Sequence, residues 1–164
     1  MEQKRFQRNE IIFRQGEASR CMFQIESGKV GIFLNYGEND QRQLTELKAG
    51  QFLGEMGMLD AEPRSATAIS LDGETTLLVI DEESFSQFFA KEPEKMHALL
   101  QQMSMRLRRI SRDCADACRT VSDVVEAEKA GRERDPALKN HIAKTLAGFE
   151  ASRLEDQKEG GEEA

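Results

Sequence analysis

Apolar residues recur along this chain with two different periods, and the change falls near Pro93. From Asn9 to about Ile80 they alternate with polar residues in short runs divided by turn residues, the pattern of β-strands half buried in a sheet. Ile11, Ile12 and Phe13 make the first β-prone run, closed by a turn at Gln15-Gly16-Glu17. Cys21, Phe23 and Ile25 then alternate with Met22, Gln24 and Glu26 as far as a turn at Ser27-Gly28. Val30, Ile32 and Leu34 alternate again, Asn35 to Asp40 reads as a hairpin tip, Gln43 to Leu47 as its returning strand, and Gly50 as a corner. Further on, Ala66, Ala68, Ile69 and Leu71 predict a strand, Asp72-Gly73-Glu74 a turn, and Thr75 to Ile80 the strand that returns from it. Many short strands joined through glycine turns predict an antiparallel sandwich or barrel of the jelly-roll kind.

Beyond this region the period lengthens. Asp81 or Ser84 is placed to cap a short helix carrying Phe85, Phe88 and Phe89, and Pro93 suits the first turn of the next helix. Met96, Leu100, Met103, Leu107, Ile110, Cys114, Ala117, Val121 and Val124 fall at alternating steps of four and three, a heptad seam on one long helix. About 35 residues of helix extend ~50 Å, further than one face of a jelly roll reaches. The far part of the seam therefore predicts the same helix of a second copy as its partner, a parallel homodimer through residues 96–124. Cys114 and Cys118, four apart on one face, have a spacing able to chelate a metal or bridge two chains, but small side chains packed in a seam account for them more simply. Gly131 and Pro136 bracket a charged run that breaks the helix, and Asp135 caps a second amphipathic segment with Leu138, Ile142, Leu146 and Phe149 on one stripe. Glu155 to Ala164 reads as a disordered acidic tail. The expected organisation is α+β: an antiparallel β jelly-roll barrel over residues 1–92, a long dimerisation helix over 93–130, and a second C-terminal amphipathic helix with its tail over 131–164.

Composition narrows the class. At 164 residues the chain has room for one domain with extensions and hardly for two. Its 38% apolar and 32% charged content fits a soluble protein. No apolar run approaches the ~20 residues of a membrane span, and the start Met-Glu-Gln-Lys-Arg-Phe lacks the apolar core of a secretory signal, which together predict a cytoplasmic location with no membrane partner. With 30 acidic against 23 basic residues the net charge is −7, which speaks against nucleic acid as the partner of the whole chain. The three cysteines, Cys21, Cys114 and Cys118, form no disulfide framework and fit a reducing compartment. The two histidines, His97 and His141, leave little for a histidine-built metal centre, and no metal or catalytic cofactor is expected.

One stretch, Phe52 to Ala68, carries a residue mixture that folding alone does not require: F-L-G-E-M-G-M-L-D-A-E-P-R-S-A-T-A. Gly54 and Gly57 permit a backbone geometry or a close approach that side chains forbid. Met56, Met58 and Leu59 anchor a single helical turn beginning at Glu55, whose first N–H groups attract anions such as phosphate. Arg64 brings a planar fork of donors matched to two phosphate oxygens, and Ser65 and Thr67 add hydroxyls beside it. Glu55 accepts hydrogen bonds and is suited to a sugar hydroxyl rather than to a phosphate. The competing account makes both glycines turn residues and lets Glu55 and Arg64 pair with each other in a surface loop.

Taken whole, the stretch resembles the phosphate-binding cassette of the cyclic nucleotide-binding domain family, in which phenylalanine-glycine-glutamate leads through apolar residues to a proline-arginine pair and small residues. Leu53, inserted between Phe52 and Gly54, and Gly57, where alanine or glycine is usual, are the departures. The segment Gln15-Gly16-Glu17, the set Met22, Phe23 and Ile25, and Ser27-Gly28-Lys29-Val30 match the strand and turn signature ahead of the cassette, so the likeness spans roughly residues 10–115. The resemblance implies a ligand site of Gly54, Glu55, Met56, Gly57, Arg64, Ser65 and Ala66, with Glu55 on the ribose hydroxyl, Arg64 on the cyclic phosphate and Ser65 assisting. In the catabolite activator protein-like regulators of this family a threonine and a serine on the long helix contact adenine; Ser111 matches the serine, whereas Ile110 stands at the threonine. Cyclic AMP is the first expectation, cyclic GMP the second and a dinucleotide such as cyclic di-GMP the third. Those regulators dimerise through the long helix and continue into a helix-turn-helix that reads DNA, for which residues 131–164 are too short. Direct DNA binding is not expected here, and the output is expected to pass through the helices to a protein partner.

Three classes follow. A sensor binds ligand at Glu55 and Arg64 and shifts its helices; a scaffold keeps the fold and the dimer without ligand; an enzyme needs a nucleophile with a nearby base or paired catalytic acids. The sequence offers no such set, since Glu55 and Arg64 make a binding pair rather than a proton-transfer pair.

Overall fold

The computed structural model describes residues 2–129. The expected second amphipathic helix and acidic tail lie outside the described residues. The chain divides into two units, Met1–Gln102 and Met103–Ala164.

Among the described residues of the first unit, eight strands pair antiparallel in two sheets of four. One sheet runs β1 (Gln3–Gln7), β8 (Glu74–Asp81), β3 (Cys21–Ser27) and β6 (Phe52–Leu53) in that order; the other runs β2 (Ile11–Phe13), β7 (Thr67–Ser70), β4 (Lys29–Leu34) and β5 (Arg42–Lys48). This is the jelly-roll arrangement the turn-divided strands predict. Phe23, Ile25, Leu53 and Leu77 from the first sheet meet Val30, Ile32, Leu47 and Ala68 from the second, with Ala66, in one buried cluster. Each large aliphatic or aromatic side chain in it contributes about 1.5–3 kcal/mol by leaving water.

β3 departs from the expected alternation. Met22, Phe23, Gln24 and Ile25 are all buried, because this strand is covered on both faces. Phe23 and Ile25 belong to the barrel cluster, while Met22 lies on the opposite pleat beside its cross-strand partner Ile80. α2 (Glu82–Lys91) builds a second apolar layer there: its Phe88 and Phe89 rings stand 6.5 and 5.9 Å from the ring of Phe52. Asp81 caps α2, as one of the two expected candidates.

α3 (Pro93–Lys129) starts at the expected proline. Its first turns are held in the barrel unit by Leu99, only 2% exposed, a residue the heptad spacing passes over, whereas the seam residue Leu100 faces solvent. In the second unit Leu107, Ile110 and Val121 of the seam are exposed, as are the free thiols of Cys114 and Cys118. Among the described residues no helix is long and apolar enough to cross a membrane, and no group of three metal-ligating side chains converges.

Candidate functional site

The site is assembled where β6 gives way to α1 (Glu55–Leu59). Gly54 makes the turn with φ 75°, the left-handed region that costs an L-residue ~1–2 kcal/mol. A Cβ at this position would also overlap Nη1 of Arg64. α1 follows at once, with Gly54 at its N-cap offering no side chain to cap it. Gly57 serves close approach: an added Cβ would lie 2.6 Å from the carbonyl oxygen of Glu62 and 2.7 Å from Cβ of Ser19. That contact seats α1 against both the loop after it and the loop between β2 and β3. Ser19 Oγ is buried there without a hydrogen-bond partner among the described residues.

Arg64 is the centre of the arrangement. Its side chain is 6% exposed, and its Nη1 donates to the carbonyl of Gly54 at 2.7 Å while Nη2 donates to the carbonyl of Cys21 at 2.7 Å. The guanidinium carbon sits 4.3 Å from the centroid of the Phe13 ring, a cation–π geometry. The backbone is fixed as well, since Arg64 N–H donates to Glu17 O and Gly16 N–H donates to Arg64 O, each at 2.9 Å. Burial pushes the guanidinium below its ordinary pKa, and Cys21, Glu17 and Glu55 oppose that shift by stabilising the cation. Guanidinium carries more N–H donors than two carbonyls use, so the fork is immobilised with donating capacity to spare.

Glu55 is 2% exposed, so the account that places Glu55 and Arg64 in a surface loop does not describe this molecule. Gly54, Glu55, Met56, Gly57, Arg64 and Ser65 come together around α1. Ser65 is exposed with its Oγ 4.0 Å from the sulfur of Met56, itself partly exposed. Ala66 points into the barrel cluster and contributes small size to the core. Thr67, read as a further hydroxyl for an anion, is buried and instead accepts the N–H of Gln15 at 3.0 Å. Ser111 belongs to the second unit, where it is exposed on α3 in a shallow recess with Ser104, Leu107, Arg108 and Arg112.

Sequence reasoning missed the groups that hold Arg64: the carbonyl of Cys21, the ring of Phe13 and the backbone of Gly16 and Glu17. A main-chain carbonyl has the same chemistry in every residue, so nothing in the letter at position 21 announces it. The proximity of Gly16-Glu17 to Arg64 exists only once β2 and β7 pair.

The sequence profile described as Cyclic nucleotide-binding domain matches residues 3–92. Over 97 residues the chain is 33% identical to a Thermus thermophilus protein named Cyclic AMP receptor protein, an alignment covering 59% of this chain and 44% of that one. Over 88 residues it is 32% identical to cGMP-dependent protein kinase 2 of Homo sapiens, covering 53% of this chain and 12% of that one. The chain thus spans less than half the length of either relative. In fold it is similar to the crystal structure of Thermus thermophilus Catabolite Activator Protein, with a TM-score of 0.61 at 21% identity over 92% of this chain and 79% of that one.

Proposed function

The chain belongs to the cyclic nucleotide-binding domain family, and from that membership we propose that it is a regulatory sensor whose cassette binds cyclic AMP in preference to cyclic GMP. The observation that carries this reading is the buried Arg64 cation, held by two backbone carbonyls and a ring beside Glu55. A cation already held in place loses little conformational freedom when a phosphate arrives. Arg64 then takes the cyclic phosphate, the first amides of α1 and the Ser65 hydroxyl assist, and Glu55 takes the ribose hydroxyl. In sequence, Ser111 matches the adenine-contacting serine of the regulators this chain resembles. The names of the relatives divide between cyclic AMP and cyclic GMP, and the matched serine favours the first. The sensor works in the cytoplasm as a homodimer through residues 96–124 and signals to a protein partner.

A second reading is favoured by one observation. Arg64 also stabilises the barrel, so a scaffold that binds nothing would still retain it. The two separate in a thermal-shift and calorimetric titration with cyclic AMP and cyclic GMP. A sensor at a hundredfold excess of ligand over Kd gains about 2.7 kcal/mol, a rise in Tm on the order of 10 °C. Arg64→Lys, which keeps the charge and loses the fork, lowers affinity at least tenfold. Absence of any shift with either nucleotide refutes the sensor.

A further inference from the structure

Phe52 is 1% exposed, and its main chain lies on the outer side of β6. The pairing fixes that side. Ile25 N–H donates to Gln51 O, and Leu53 stands opposite Phe23, so in an antiparallel ladder the N–H and C=O of the intervening Phe52 point away from β3. No strand follows β6 in its sheet among the described residues. One side chain meets both groups: Phe52 N–H donates to Gln102 Oε1 at 3.0 Å, and Gln102 Nε2 donates to Phe52 O at 2.7 Å. The primary amide of Gln102 supplies the donor and the acceptor that another strand would have supplied.

Gln102 is carried by α3, within the same unit as the barrel. Phe52 is two residues from Gly54, whose carbonyl holds Arg64, and three from Glu55. We infer that Gln102 is a positioning residue for the nucleotide site: by clamping Phe52 it sets the entry to the cassette, and so ties nucleotide affinity to the seating of the first three turns of α3. The inference rests on the nucleotide-binding reading given above. Linkage makes the tie reciprocal, so bound nucleotide also steadies the stretch of α3 that carries Gln102. Leu99 holds the same turns by apolar burial, which is indifferent to direction, whereas the two-way amide bond is lost with a small displacement of either partner.

The test compares the full chain with Gln102→Leu, which keeps bulk and loses both bonds, and Gln102→Glu, which keeps an acceptor for the Phe52 N–H. Leu47→Ala, a large-to-small change in the barrel cluster that removes neither partner of the clamp, is the control for lost stability. Calorimetry with cyclic AMP and cyclic GMP is combined with site-resolved amide exchange at Phe52. The expected result is at least a tenfold loss of affinity in Gln102→Leu, a partial recovery in Gln102→Glu, and a lower Tm with affinity within twofold of wild type in Leu47→Ala. Phe52 amide exchange accelerates in Gln102→Leu alone. Wild-type affinity in Gln102→Leu overturns the inference, as does an equal affinity loss in Leu47→Ala. If wild type binds neither nucleotide, the sensor reading falls and with it the positioning role, while unchanged Phe52 exchange in Gln102→Leu refutes the clamp itself.

Discussion

Two demands meet on one α-carbon at Gly54: a left-handed turn, and space for the Arg64 guanidinium that its own carbonyl anchors. Gly54→Ala violates both. It is expected to destabilise the barrel by about 1–2 kcal/mol through the backbone alone. By displacing Arg64 it also weakens nucleotide binding at least tenfold, read by urea unfolding and by calorimetry; unchanged affinity would separate Gly54 from the site. At this scale much was legible in the sequence. Gly54, Glu55 and Arg64 stand out because their chemistry is unusual for a short stretch, and the structure gathers them. Thr67 is less legible, because a hydroxyl that recognises an anion and one that accepts a main-chain N–H look alike until burial is known.

Among the elements, α2 shows how a local signal becomes a pH dependence. Asp81 accepts from Ser84 N–H at 2.8 Å and from Ser84 Oγ at 2.6 Å, and Ser84 Oγ in turn accepts the N–H of Asp81 at 3.1 Å. The hydroxyl bond first, and the backbone bond second, hold the carboxyl below its ordinary pKa. A depressed carboxyl stabilises the fold fully above its unfolded pKa of about 4 and loses that contribution as pH falls through the lower folded value. The Tm gap between wild type and Asp81→Ala is therefore expected to hold steady from pH 5 upward and to close in more acidic buffer, as thermal unfolding across pH would reveal. Asp81 was readable because a cap is a local matter. Two strands were not: β1 carries only Phe6 as an apolar residue, and β6 has two residues, too few to show a period. Gln102 hid for a related reason, since its two bonds reach back fifty positions to Phe52.

For the whole molecule, the open question is what covers α3. Leu107 at 65% exposure, with Ile110 and Val121, would be poorly served by water, and their spacing fits a second copy. Sedimentation velocity at tens of micromolar is expected to give a dimer for wild type and a monomer for the double substitution Leu107→Lys and Ile110→Lys, with the barrel's Tm little changed. A monomeric wild type would remove the dimer. Long helix and barrel were both legible, because a change of period marks the passage from one to the other, but Leu99 was not, because a heptad template records one face only. The strand that left no apolar signature has its own importance. β1 covers β8 along Gln3–Gln7, and behind it Thr75-Thr76-Leu77-Leu78-Val79-Ile80 is an uncharged, proline-free, strongly β-prone run. Such a run left open at a sheet edge is a template for aggregation. The polar Gln3-Lys4-Arg5 segment occupies that edge and presents charge in its place, so the least hydrophobic strand of the barrel does what charged edge strands do generally: it makes edge-to-edge pairing between molecules unfavourable.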